Sequence, residues 1–165
     1  MSRALLLVLS VLTACGGRPI ARSVARDSGD SAFGLVQSRG HAAMGVDQYT
    51  SSHRFEPLPD GGRITLQRDS NDSAGTSQIR NHMRMIALAF GRGDFALPGF
   101  VHDRDVPGTA VMAARRARIS YITDTLPRGA QLRIRSTDTA AVSAIHQFLA
   151  FQRQDHRVEA PGAAH

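Results

Sequence analysis

The sequence predicts an α+β fold: a tandem ββα-ββα domain whose four mostly antiparallel strands make one sheet, with two helices on one face. Three observations lead there. Two pairs of short strand-like runs are each joined by a Pro- and Gly-containing turn, HRFEPLP-DGG-RITLQRD and ARISYITDTL-PRGA-QLRIRS. Each pair runs into a segment with apolar residues at helical spacing. The order of signals is the same in both halves, and both helical segments close on an Ala-Phe pair, Ala89-Phe90 and Ala150-Phe151.

The first pair spans 53–59 and 63–69 around Asp60-Gly61-Gly62, a hairpin signal. Ile64 and Leu66 alternate with polar neighbours, so one face of that strand is buried. The polar stretch 70–77 offers Thr76 or Ser77 as a helix N-cap. The helix is expected from Ser77 to Phe90, with Ile79, Met83, Ile86 and Phe90 on one face and Gly91 and Gly93 ending it. The second unit begins with a β-branched strand at 117–126, turns at 127–130 and returns at 131–136 with Leu132 and Ile134 on one face. Thr137 or Asp138 then caps a helix from Thr139 to Arg153, with Val142, Ile145 and Leu149 as its stripe. Between the units lies 91–112, anchored by Phe95, Phe100 and Val101. It reads as a packed crossover, although ordered loops of this length are often functional. The pattern leaves the order of the four strands open.

The chain opens MSRALLLVLSVLTACGG. A basic residue, a short apolar run and small residues describe a secretory signal peptide over 1–14. The run is too short to span a bilayer, which takes about 20 residues. Leu12-Thr13-Ala14-Cys15 resembles the lipobox of bacterial lipoproteins. The resemblance implies cleavage before Cys15 and acylation of Cys15, the only cysteine of the chain. It also implies an exported, membrane-anchored protein facing the periplasm or the cell surface. Gly16 lacks the aspartate of inner-membrane retention, which points to the outer membrane. An unpaired cysteine in an exported chain needs an explanation, and lipidation supplies one. Residues 15–45 are rich in Gly, Ser, Arg and Asp without a sustained apolar period, and read as a flexible tether. The domain is expected over 46–157 and a disordered tail over 158–165.

Without the signal about 150 residues remain, which suits one domain. Apolar residues make up 42% of the chain, enough for a core. The net charge is +6, which invites a nucleic-acid reading. Yet every basic residue other than histidine is arginine, and most are interspersed with Asp and Glu. Only Arg115, Arg116 and Arg118 cluster tightly, as expected of a solvated face or of a contact with anionic lipid phosphates. No nucleic-acid partner is expected.

Read as one string, GVDQYTSSHRFEPLPDGGRI, IRNHM, GDFALPGFVH, VPGTAVM, LPRGAQLRI and AIHQFLAFQRQDH resemble an uncharacterised family of small exported bacterial proteins, over about Met44 to His156. Members often carry two adjacent histidines where this chain has Ser52-His53, which weakens a site needing both. Such short chains are sometimes labelled aspartate carbamoyltransferase. The Ser-Thr-Arg-Thr phosphate loop and the His-Pro segment of those transferases are absent from this sequence.

Chemistry-bearing residues are few in kind. The domain holds His53, His82, His102, His146 and His156, with Met44, Met83, Met85 and Met112; His41 lies in the tether and His165 in the tail. Imidazole and thioether without thiols are a donor set that suits copper, Cu(I) above all. His53, His82, His102, His146, His156, Met85 and Met112 are the candidate ligands, and copper the candidate cofactor. On helical geometry His82 and His146 flank the apolar stripes, so they meet if the helices pack side by side. Against that, a histidine on such a flank is more often a satisfied core residue, and no pair has the spacing of a helical zinc site. Met83 fits the core stripe. Asp94, Asp103 and Asp105 with His102 form a candidate acid–base group. No cysteine nucleophile and no Gly-x-Ser-x-Gly occur in the domain. The expectation is a lipid-anchored binding or accessory module of the cell envelope and not an enzyme. The alternatives are a copper-binding protein, an envelope protein-interaction module with a protein partner, and, least favoured, a small hydrolase or transferase.

Overall fold

The computed structural model describes residues 21–45 and 47–158. The signal segment 1–14, Cys15, Gly16 and His165 lie outside the described residues, as do Val46 and positions 159–165. The fold is α+β, with a four-stranded antiparallel sheet and five α-helices among the described residues. Strands β1 (Ser51–Leu58) and β2 (Gly61–Arg68) form one hairpin, and β3 (Ile119–Leu126) and β4 (Gly129–Ser136) another. The sheet order is β1-β2-β4-β3, so the second strand of each hairpin is central.

Local sequence explains the hairpins. Leu58 pairs with Gly61 and Leu126 with Gly129, which leaves Pro59-Asp60 and Pro127-Arg128 as the turns. Proline pre-sets the first turn residue, and glycine follows the second. Both glycines also serve the central ladder. A Cβ on Gly61 would lie 2.3 Å from the Ile134 carbonyl oxygen, and one on Gly129 would lie 2.0 Å from that of Leu66. Gly61 pairs with Arg135 and Gly129 with Gln67, so the β2–β4 ladder is centred on the Ile64–Leu132 pair.

Alternation then separates the faces. Phe55, Ile64, Leu66, Ile119, Ala130, Leu132 and Ile134 are buried. The opposite parity is mostly polar, with Arg63 bonded to Glu56 at 2.9 Å and Arg133 and Arg135 both held by Asp60. Helix α2 (Ser73–Gly91) packs on β3 and β4, and α5 (Thr139–Asp155) on β1 and β2. Ile79, Met83, Ile86 and Phe90 of α2, with Ala141, Ala144, Ile145, Phe148 and Leu149 of α5, join the buried sheet residues in one core. Each fully buried Ile or Met contributes about 1.5–3 kcal/mol relative to exposure. Arg80 donates from α2 to the Gly129 and Leu126 carbonyls, and Arg153 from α5 to that of Phe55.

Several boundaries differ from expectation. α2 begins at Ser73, a turn early, because the Asp72 carboxylate caps the Gly75 amide at 3.0 Å, ahead of Thr76 and Ser77. The stripe of α5 is rotated onto Ala141, Ile145, Phe148 and Gln152, which leaves Val142 half-buried. The 91–112 crossover holds two short helices, α3 (Ala96–His102) and α4 (Thr109–Ala114). Val101 is buried, Phe95 packs against the core and Phe100 is exposed. Val158, placed in a disordered tail by the sequence reading, packs against the core.

The largest correction concerns the tether. Ala21–Met44 is a helix, α1, that packs on α3. Its Gly, Ser and Arg content hides a narrow stripe, Phe33, Val36, Gly40 and Met44, at three- and four-residue steps. Val36 is buried, and Met44 packs against the core. Arg39 pairs with Asp103 of the crossover, Asp30 with Arg157, and the Arg157 guanidinium lies 4.5 Å from the Phe33 ring centroid.

Gly129→Ala is expected to destabilise the fold by about 1–3 kcal/mol, since overpacking here pushes on backbone. Urea unfolding measures it, and Gly34→Ala, where an added Cβ meets nothing within 4 Å, is the control.

Candidate functional site

One cavity of about 90 Å³ lies between β1, β2, α1, α2, α3 and α5. Its walls are Phe55, Leu66, Ile86, Phe90, Val101 and Phe148, with Gly40, Ala43 and Met44 contributed by α1. Four histidines also line it: His53, His82, His102 and His156. They come from β1, α2, α3 and the end of α5. No carboxylate is among its lining residues.

Topology brings these rings together. His53 shares the inward parity of Phe55. His82 stands one position before the core residue Met83. His102 closes α3, and His156 is the C-cap of α5. His53 and His156 stack with ring centroids 5.2 Å apart and planes 20° from parallel. His156 stands edge-on to His102 at the same 5.2 Å separation. Phe55 packs beside His156 at 5.6 Å.

The four rings are not equivalent. Both ring nitrogens of His102 are engaged, Nδ1 with the Asp155 carboxylate and Nε2 with Gln152 Oε1 at 3.0 Å. Asp155 also holds Arg104. His102 is therefore a buried strut with no nitrogen to spare. Nδ1 of His156, by contrast, is buried with no hydrogen-bond partner. Burial penalises the charged form of the remaining rings. It lowers His53 to about 4, aided by the nearby His82, and lowers His82 to about 4. His156 falls to about 3, through burial first and then His53 and His102, against the opposing pull of Asp155. His53, His82 and His156 are thus neutral at pH 7.

Other candidate residues fall elsewhere. Nε2 of His146 donates to the Leu58 carbonyl at 2.9 Å, which ties α5 to the first hairpin. His146 does not meet His82, because α5 lies over β1 and β2 while α2 lies over β3 and β4. Met85 is exposed on α2, and Met112 is fully buried in the core. Met44 and Met83 are the thioethers that reach the cavity. His102 has Asp155 as its partner and not Asp94, Asp103 or Asp105. Asp103 is taken by Arg39, and Asp94 caps the Ala96 amide. No group of three or more His, Cys, Asp or Glu side chains among the described residues is arranged to hold a metal ion.

Asp155, Gln152 and the α1 wall are additions the sequence reading missed. Gln152, Asp155 and His156, at three- and four-residue steps on the end of an apolar helix, carried a signal for a polar cluster there. The groove at the start of α2 is lined by Arg80 and Arg128, but both are spent on carbonyls of the second hairpin and β2. No protein-family model, curated protein or solved structure matches the chain.

The depressed histidines make stability pH-dependent. The unfolded chain takes up protons near pH 6.5, while the folded rings resist until about 4 or below. Stability from these groups is therefore complete above about 6.5 and falls as pH drops toward 4, by up to about 1.4 kcal/mol per group per pH unit. Melting temperatures between pH 7.5 and 4 are expected to show that loss, and less of it in His53→Gln and His156→Gln.

Proposed function

We propose that the chain is a lipid-anchored binding module of the bacterial cell envelope, and that its ligand occupies the histidine-rimmed cavity. The observation that carries this reading is the pocket itself. Cores are close-packed, yet a half-open pocket of about 90 Å³ reaches into the apolar layer here. Four imidazoles from four elements converge on it. The space suits a few waters, a small ring or an ion.

The anchor is the acyl group inferred for Cys15, which holds the protein at a membrane, the outer one where the host has it, on the periplasmic or surface side. The tandem reading belongs to the same proposal: β1-β2-α2 and β3-β4-α5 are one ββα unit repeated, with both helices over one sheet face. Its support is the pair of Leu-Pro-x-Gly hairpins and a central ladder with the same residue positions on either side of Ile64–Leu132. An envelope protein partner has weaker support, since the opposite sheet face is polar and Ile122 is its exposed large apolar side chain. A hydrolase or transferase has least, because His102 has no nitrogen left to move a proton.

The test uses the full chain in lipid nanodiscs with toluene as a probe of the void, read by methyl shifts of Met44, Met83 and Ile86. Saturable shifts in the wild type, abolished by the cavity-filling Ala43→Phe, are expected. Absence of shifts, or shifts that survive Ala43→Phe, would overturn the reading. Palmitate labelling that is lost in Cys15→Ser tests the anchor.

A further inference from the structure

We propose that the outer face of α2 docks on an anionic lipid surface, with Met85 and Leu88 entering the headgroup layer and Arg84, Arg92, Arg116 and Arg118 meeting lipid phosphates. The inference makes no use of the histidine-rimmed pocket. It adds a second membrane contact to the anchor proposed for Cys15.

Helix geometry sets the face. Successive residues of a helix turn by about 100°. Arg84, Met85, Leu88 and the C-cap Arg92 therefore share one side of α2, opposite the buried stripe of Ile79, Met83, Ile86 and Phe90. All four are exposed. Met85 and Leu88 leave 58% and 60% of their surface in solvent, although an ordinary outer face is polar. The outer positions of α5 follow that rule, with Ser143, Gln147, Ala150 and Gln154.

Charge chooses the partner. No Asp or Glu occurs from Ser73 to Gly93. The turn Arg116–Arg118 packs against the end of α2, where a Cβ on Gly93 would lie 3.2 Å from Arg116 Cδ. Arg116 and Arg118 thus join Arg92. None of the four arginines forms an ion pair among the described residues. Asp138 is taken by Arg115, and Asp94, which caps the Ala96 amide, offsets one of the four charges. The arginine fork matches phosphate oxygens, and each cation beside an anionic bilayer strengthens its hold by roughly fivefold. Charged residues are depleted from the cores of protein interfaces, so unpaired arginines around two apolar side chains fit a bilayer better than a protein partner. One acyl chain holds a protein only marginally, and a basic patch is a second contact of the kind that makes anchoring stable.

The experiment places one environment-sensitive label at Leu88→Cys in the full chain carrying Cys15→Ser, so that the label has a single site and no acyl chain contributes. The vesicles are phosphatidylcholine alone, or equal parts phosphatidylcholine and phosphatidylglycerol. A blue shift and quenching by bilayer-embedded nitroxides are expected on the anionic vesicles and not on phosphatidylcholine alone. A label at Ile122→Cys, exposed on the opposite sheet face, should stay in water. Arg92→Glu/Arg116→Glu should weaken the partitioning read at Leu88 by roughly tenfold or more, and added salt should weaken it too. Met85→Ser, a change at an exposed site that spares the fold, should weaken it severalfold. No shift on either vesicle, equal shifts on both, partitioning unchanged by the arginine double variant, or equal entry of the Ile122 label would each overturn the proposal. A Leu88 shift that appears without vesicles and grows with protein concentration would also overturn it, and would give the face to a second copy of the chain. Palmitate labelling of the unsubstituted chain reads the anchor separately, so the failure of either contact is seen alone.

Discussion

The contact between His102 and the end of α5 ties the crossover helix α3, one wall of the pocket, to the rest of the fold. α3 is seven residues long, far too short to persist on helix propensity. It is held by the burial of Pro98 and Val101 and by the His102 ring wedged between Asp155 and Gln152, with Arg104 on the same carboxylate and its guanidinium 4.9 Å from the Phe151 ring centroid. α1 in turn rests on α3, and Arg39 grips Asp103, the residue next to His102. The dependence runs from α5 through His102 to α3, then to α1, and so to one wall of the pocket.

Burial sets the chemistry of the same place. It pushes His53 and His156 toward the neutral form. The result is a half-open pocket with uncharged nitrogen and sulfur groups on apolar walls. That combination discriminates against highly charged ligands before any specific contact is made. The polar opposite face of the sheet, where arginines are neutralised by Glu56 and Asp60, plays no part in this arrangement.

How much of this was legible in the sequence follows from the range of each interaction. The hairpins were readable because Gly- and Pro-containing turns and alternation are local, and the core of α2 because Ile79, Met83, Ile86 and Phe90 repeat at helical steps. The helix α1 was not, since residues with weak local preference are held there by packing on α3 and by Arg39 and Arg157. The histidines were visible as donors, but their convergence was not. It depends on the order β1-β2-β4-β3 and on α5 ending over β1, which brings His156 onto His53 and carries His146 away to Leu58. His102 drew attention to its neighbours in sequence, Asp103 and Asp105, whereas its partner lies far along the chain on α5. That pairing is set by tertiary structure alone.

Hydrogen exchange on Asp155→Asn tests this dependence most directly. The substitution keeps shape and removes the charge that His102 and Arg104 share. Local opening is read residue by residue by such exchange. Amides of α3 and α1 are expected to lose protection while those of β2 and β4 keep it. Unchanged protection in α1 and α3, or an equal loss across the sheet, would contradict it.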